Sequence, residues 1–301
     1  MKYVYATILL FTHLSINSQV LKGVVFDSIS KENLQYVNIS FKNKEIGTFS
    51  TNKGAYSLDL SRATNKDSLL ISLIGYQTKT IALASYIAHK ESILNVALTP
   101  KIEALNEVIV FDGKEQYETK ALNFKTGKRK TLLPISVPFG YETATFIENK
   151  SKKKGRLIEV NIKLKDVSKE KITIHKTFYR LSFYKANSLG YPGKALLYDN
   201  IIIKPKKGVN EYQIDLANKY VAFDENGIFI SLETIKPDTV EASGSMYVTT
   251  PNIVHTHTDE SLTYTRFGQN KWYKNNHISA FKKKLYNTPY LVGKVIYKKN
   301  N

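Results

Sequence analysis

Ser72-Leu73-Ile74-Gly75-Tyr76 closes one of seven short apolar runs that turn residues separate between Leu21 and Leu98, and that spacing decides the fold of the first third of the chain. Leu21 to Asp27 reads as a strand. Val37, Ile39 and Phe41 alternate with Asn38, Ser40 and Lys42, the period of a strand with one buried face. Ile46 to Ser50 comes next, and the Thr51-Asn52-Lys53-Gly54 turn leads into Tyr56, Leu58 and Leu60, which alternate with Ser57 and Asp59. These two strands are expected to form a hairpin, with Gly54 supplying a positive φ. Leu69, Ile71 and Leu73 continue the pattern, followed by Gln77 to Leu83 and Ile93 to Leu98. Seven strands at short spacing predict a small antiparallel sandwich.

Working outward, the 301 residues suffice for two domains, and 42% apolar with 12% aromatic content is ample for packed cores. Twenty tyrosines and fourteen phenylalanines favour strands. At the amino terminus Lys2 precedes an apolar run from Val4 to Leu14 and then Ile16-Asn17-Ser18-Gln19, the order of a signal peptide cleaved near Ser18 or Gln19. Thr7, Thr12 and His13 interrupt the run, so export accounts for it better than a buried strand does, and it is short for a bilayer span. With no cysteine there is no lipoprotein anchor at the cleavage site, and stability must come from core burial without disulfides. No later run approaches eighteen apolar residues, so no transmembrane segment is expected in the mature chain.

The net charge of +18 is unevenly spread, with three basic clusters: Lys150, Lys152, Lys153, Lys154 and Arg156; Lys204, Lys206 and Lys207; Lys282, Lys283 and Lys284. Such runs lie in solvated turns or attract anions, which for an exported protein means acidic glycans, lipopolysaccharide phosphates or an acidic partner. Nothing resembles a helix-turn-helix, a zinc finger or an RNA-binding aromatic motif, so no nucleic-acid partner is expected.

Gly23-Val24-Val25-Phe26-Asp27, Asn33 to Ile39, Ile46-Gly47-Thr48, Thr51 to Tyr56 and Ile74-Gly75-Tyr76-Gln77 together resemble the carboxypeptidase-like regulatory domain. The resemblance implies a seven-stranded, transthyretin-like sandwich over about residues 20–98. It is a module found on exported proteins and at the front of outer-membrane nutrient receptors, and it carries no catalysis of its own. Residues 99–137 read as a linker. Within it, Leu105 to Val110 resembles the stretch that in those receptors contacts an energy-transducing periplasmic protein, but Asp112 to Lys130 does not resemble a plug, and a final edge strand or tether is the preferred reading.

No catalytic set survives inspection. His257-Thr258-Asp259-Glu260 fits the His-x-x-Glu pair of zinc carboxypeptidases, but only forty-one residues follow Glu260, too few for the usual third histidine and catalytic domain. His255 and His257 would project from one face of a strand, and His277 with Asp259 or Glu260 could complete a zinc set; alternatively they are exposed polar residues of an edge or loop. We assign no metal and no cofactor. Ala242-Ser243-Gly244-Ser245-Met246 lacks a glycine of the nucleophile elbow, and a glycosidase pair drawn from Asp215, Asp224, Glu233 and Glu241 has nothing to single it out.

Residues 138–301 read as a second β domain, a jelly-roll-like sandwich. Ile158, Val160, Ile162 and Leu164 alternate with polar residues, and Leu181 and Phe183 oppose Arg180 and Ser182, so both strands are expected to have a wet face. Further strands are read at 196–203, 212–216, 228–232, 245–249, 261–267, 278–281 and 291–297. Arg180 to Lys185, Tyr191 to Leu197, Ile214 to Leu216, Phe229 to Glu233 and Gly268 to Trp272 resemble a domain that accompanies the regulatory module in other exported bacterial proteins. Its sandwich form is similar to carbohydrate-binding modules, so Trp272 and Tyr273, after the Gly268-Gln269-Asn270 turn, are the candidate ligand-binding residues; the alternative packs Trp272 as a lid on the sandwich end. The expectation is thus an all-β, exported, non-catalytic envelope protein that binds a glycan or protein partner. The alternatives are an accessory of an outer-membrane complex and, remotely, a metal-dependent hydrolase.

Overall fold

The structure, a computed structural model, describes residues 19–87, 91–101, 116–127, 133–167, 172–241, 247–276, 278 and 284–299. The expected signal peptide, the Leu105–Val110 stretch and the Ala242–Met246 turn lie outside them, as do His277, Lys282 and Lys283. The described chain is all strand and loop. No helix among the described residues is long and apolar enough to cross a membrane.

Eight strands build the first module: β1 (Val20–Asp27), β2 (Asn38–Phe41), β3 (Gly47–Phe49), β4 (Ala55–Asp59), β5 (Ser68–Ser72), β6 (Lys79–Ala82), β7 (Glu91–Ile93) and β8 (Val96–Leu98). One sheet runs β4-β1-β7, with β8 also on β1, and the other runs β3-β2-β5-β6. Leu21, Val25, Tyr56, Leu58, Val96 and Leu98 of the first meet Ile39, Phe41, Leu69 and Ile71 of the second in one core. Each such side chain contributes about 1.5–3 kcal/mol by leaving water.

Two expectations are corrected here. Gly54 does turn the chain, at φ 77°. Its flanking strands are not a hairpin, however, because β3 pairs with β2 and β4 with β1, so the turn carries the chain from one sheet to the other. The sandwich is not wholly antiparallel either: the Ile93 to Leu98 run divides into β7 and β8, and both lie parallel to β1. Period-2 alternation assigns faces and leaves partners open.

The second sandwich contains β9 (Leu122–Lys125), β10 (Leu133–Ile135), β11 (Tyr141–Ile147), β12 (Gly155–Lys165), β13 (Thr173–Lys176), β14 (Phe178–Ala186), β15 (Pro192–Ala195), β16 (Ile201–Ile203), β17 (Glu211–Asp215), β18 (Val221–Phe223), β19 (Ile228–Ile235), β20 (Tyr247–Thr250), β21 (Asn252–Thr258), β22 (Thr263–Phe267), β23 (Tyr273–Lys274), β24 (Tyr286–Pro289) and β25 (Leu291–Tyr297). A seven-stranded sheet runs β15-β14-β19-β11-β22-β23, with β16 on β14. An eight-stranded sheet runs β10-β21-β12-β25-β9, with β17, β18 and β24 alongside. Leu157, Val160, Ile162 and Leu164 from β12 pack on Leu181, Phe183, Ile230 and Leu232 from β14 and β19.

Part of the stretch read as a linker belongs to this sandwich, since β9 pairs with β25 and β10 with β21. The run read as one strand over 196–203 is strand only at 201–203, with β15 ending at Ala195. Lys152 and Lys153 of the first basic cluster reach Glu148 and Glu118, and Lys204 of the second lies over the rings of Tyr36 and Phe178.

The outer face of β2 and β5 does not meet water. Asn38, Ser40 and Ser72 are buried, because that sheet packs on the outer face of the seven-stranded sheet. Around this seam Tyr36 and Phe49 join Phe139, Ile235 and Val240 in a small apolar cluster. The Asn43 amide donates to Asn270 Oδ1 (2.8 Å), and the Asn52 amide to Asp238 Oδ2 (3.0 Å). Two apolar cores therefore flank one polar seam.

Candidate functional site

The seam is built by register. On β14, β19, β11 and β22 the cross-strand partners Arg180↔Glu233, Glu233↔Glu142 and Glu142↔Arg266 place four charged residues in one row, in the order plus, minus, minus, plus. Neighbouring strands lie about 4.8 Å apart, so each carboxylate reaches the arginine beside it. The exposures of Arg180, Glu142, Glu233 and Arg266 are 4, 4, 6 and 8%, so the row is desolvated and needs its partners.

Each end of the row is tied by several bonds. Arg180 pairs with Glu233 through Nη1, donates through Nη2 to the Tyr36 carbonyl of the first module, and through Nε to Asn200 Oδ1 (2.8 Å). Asn38 of the first module donates to Glu233 Oε1 (3.0 Å). Arg266 donates through Nε to Glu142 Oε2 (2.8 Å), through Nη1 to Gln269 (3.0 Å) and through Nη2 to the Tyr184 hydroxyl (3.1 Å). Tyr184 and Ser231 donate to Glu142 Oε1 at 2.8 and 2.6 Å. All four carboxylate oxygens thus accept bonds within the protein.

Burial pushes the Glu233 carboxyl above its ordinary range; Arg180 pulls it back, and Glu142 on the next strand pushes it up again. Burial likewise raises the Tyr184 hydroxyl, and the Glu142 carboxylate beside it adds to the rise. Tyr184 therefore stays a neutral donor.

Over this row lies a cleft of about 280 Å³. One wall is Ser72, Leu73, Ile74, Tyr76 and Thr78 of the first module; the other is Ser182, Lys194, Ala195 and Tyr198 of the second, with Arg180, Glu233, Glu142 and Arg266 between them and Lys101 on the first module's side. The Ile74-Gly75-Tyr76 turn sets the approach. Gly75 has φ 84°, and a Cβ there would stand 2.9 Å from the Tyr198 carbonyl oxygen, so glycine satisfies both the turn and the contact. The Tyr76 hydroxyl donates to Asp27 Oδ2 (2.8 Å). Burial alone would raise Asp27, but the Ile29 amide, Tyr76 and the Ser30 amide hold its carboxyl below the usual range.

The residues singled out in the sequence fall elsewhere or behind this site. Trp272 is half-buried, with the Arg266 guanidinium 4.3 Å from its ring centre and Tyr184 edge-on at 5.9 Å, so one ring face is already occupied and the side chain backs the charged row. Tyr273, 48% exposed, lies in a two-residue strand paired to β22. His255 and His257 share the fully buried strand β21 and are not edge residues. His255 Nδ1 lies 2.9 Å from the Ile253 carbonyl, and burial lowers its pKa to about 4. Among the described residues no three histidines and carboxylates group as metal ligands. Glu233 is the one member of the proposed carboxylate set in the cleft. Arg180 was legible only as a wet-face residue, and Glu142 and Arg266 carried no sequence signal.

Comparison with known proteins identifies the first module. Residues 21–110 match the CarboxypepD_reg-like domain, extending past Leu98. No curated protein matches the chain in sequence. A solved structure of a Bacteroides fragilis NCTC 9343 protein of unknown function aligns over 94% of this chain and 98% of its own, at 10% identity and a TM-score of 0.23.

Proposed function

We propose that this chain, whose first module is a carboxypeptidase-regulatory-like domain, is a non-catalytic, exported protein of the cell envelope that holds a glycan or protein partner in the cleft between its two modules. One observation carries the reading: both modules build the cleft, and its floor is a row of buried charges tied to one another. A preformed concave site with a few convergent polar groups is the general form of a binding site. Support for export is the Lys2 and Val4–Leu14 pattern, and the matched domain is a regulatory, non-catalytic one.

A second reading, docking on an outer-membrane complex, is favoured by a groove of about 580 Å³ beside β1, β4 and β7, where Val24, Phe49, Tyr56 and Ile93 give an apolar lining and Ile93 is 77% exposed. Affinity capture of the full chain from envelope extract, with glycans and proteins both identified, separates the two. Thr78→Trp, which fills the cleft from an exposed position, is expected to abolish capture, while Ile93→Asp and Tyr273→Ala leave it intact. Loss with Ile93→Asp alone would transfer the function to the groove.

A further inference from the structure

One end of the second sandwich gathers loops that are far apart in the sequence. Ile147, Ile228 and Lys185 are cross-strand neighbours where β11, β19 and β14 reach that end, so the turns over 148–154, 224–227 and 187–191 leave the seven-stranded sheet together. Gly155 pairs with Phe223 and Tyr297, which brings residues 298–299 to the same place, and with them Tyr117, which bridges to Lys298. Asn149 knots these loops. It is fully buried, and its Nδ2 donates to the carbonyls of Lys153 (2.7 Å) and Asp224 (2.8 Å). Its Oδ1 accepts from the Ser151 amide (3.1 Å) and the Tyr297 hydroxyl (3.1 Å), so the lysine loop is fastened to its neighbours on both sides.

The charge at this end is one-sided. Residues 116–120, 148–154, 185–191, 224–227 and 298–299 hold eight lysines and four acidic residues. Lys152, Lys153 and Lys185 pair with Glu148, Glu118 and Asp224. Lys150 and Lys154 are exposed, and no ion pair engages them among the described residues. Like charges this close repel one another, and an anionic surface laid across the end relieves the repulsion.

An apolar side chain stands at the same end. Leu189 tops the β14–β15 hairpin and is 79% exposed. Asn187 holds the turn: its Oδ1 accepts from the Leu189 and Tyr191 amides (2.9 and 3.0 Å), its carbonyl accepts from the Gly190 amide (3.0 Å), and Gly190 supplies the positive φ of 76°. A single exposed leucine is ordinary on its own. Among exposed lysines it matches the two layers of a bilayer interface, phosphate headgroups and the acyl boundary beneath them. A soluble acidic polymer would engage the lysines and leave the leucine idle.

We propose that this end of the second sandwich docks on a membrane surface of anionic phospholipid, with Lys150, Lys152, Lys153 and Lys154 at the headgroup phosphates and Leu189 entering between them. The surface shares no residue with the cleft lining, so it adds an attachment site to the binding role proposed above.

The test is co-sedimentation of the full chain with vesicles of phosphatidylcholine alone and of phosphatidylcholine mixed equally with phosphatidylglycerol. Binding to the mixed vesicles is expected to be at least about tenfold tighter and to weaken as salt is raised. Lys150→Gln with Lys154→Gln should weaken it by about tenfold, and Leu189→Asn, which changes no charge, by about tenfold as well. Lys206→Gln with Lys207→Gln removes the same charge from the 204–210 loop, which bonds to Leu164 at the opposite end of β12, and should leave binding unchanged. All five positions are exposed, and an unchanged urea midpoint checks that each variant folds. The Val4–Leu14 run is common to every variant, so differences between variants report this surface alone. Equal binding to neutral and mixed vesicles, or an equal loss from the two lysine pairs, would overturn the proposal. So would Leu189→Asn without effect, and in that case soluble polygalacturonate bound as tightly as the vesicles would reassign the surface to an acidic polysaccharide.

Discussion

The two faces of the seven-stranded sheet are both buried, yet they are made of opposite materials. Along β19, Ile228, Ile230 and Leu232 point into the second sandwich, whereas Phe229, Ser231, Glu233 and Ile235 point toward the seam and its flanks. The inner face is held by area, about 25 cal/mol per Å² of apolar surface removed from water. The outer face is held by complementarity: charges that cost several kcal/mol each to desolvate are tolerated because each meets an opposite charge in register. The inner face forms a core in any near-native arrangement. The outer one ties the two modules to each other, because Asn38 and the Tyr36 carbonyl come from the first and Glu233 and Arg180 from the second.

The sharpest break in this comparison is expected from Arg266→Ala, which strands Glu142 in a buried row and should cost about 3–5 kcal/mol in denaturant unfolding. Leu181→Ala on the inner face should cost about 2–5 kcal/mol through its cavity. The two differ in rescue: Arg266→Leu with Glu142→Leu should recover much of the loss, whereas no second substitution beside Leu181→Ala restores the missing volume so directly. If Arg266→Ala costs less than about 1 kcal/mol, the row behaves as a surface pair and the contrast fails.

The pH dependence should come from the eight-stranded sheet. His255 is held neutral by burial, with its pKa lowered to about 4 from an ordinary 6.5, so between these values the unfolded chain binds a proton that the folded chain does not. Stability is full above about pH 6.5 and falls as pH drops toward 4, by about 3 kcal/mol in all at 1.36 kcal/mol per unit. Urea midpoints across that range check it, and His255→Phe should flatten the slope.

Gly75→Ala should have the smallest effect on stability, about 1–3 kcal/mol for a side chain at positive φ. Its more telling consequence is geometric, since the new Cβ meets the Tyr198 carbonyl and should loosen the docking of the modules. Limited proteolysis releasing intact modules faster than from the parent chain is the expected readout; an unchanged pattern would show that this turn does not set the approach.

Much of this fold was legible in the sequence, because alternation at Val37-Ile39-Phe41, Leu69-Ile71-Leu73 and Leu181-Phe183 reports which side chains share a face. Alternation does not report what covers the other face. Arg180 and Ser182 read as wet, and Asn38 and Ser40 as the polar side of a strand, because a polar face turned to solvent and one turned to a second module have the same period. The charged row was hidden for a further reason: it exists only once four strands lie in the order β14-β19-β11-β22, with Glu142 and Arg266 separated by 124 positions. His255 and His257 misled in the opposite sense. Their strand, Asn-Ile-Val-His-Thr-His-Thr, is polar at five of its seven positions yet is buried throughout, since β10, β12 and β24 all pair with it.

The central claim, that the outer face of the seven-stranded sheet is a buried seam closed by the first module, is tested most directly by a double-mutant cycle on Arg180→Leu and Glu233→Leu, read by chemical unfolding. Each single substitution should cost about 3–5 kcal/mol by leaving the other charge buried, and the double variant should cost far less than their sum, for a coupling of at least about 2 kcal/mol. Single costs under about 1 kcal/mol that simply add would mean that the pair is solvated, and the seam would not be closed.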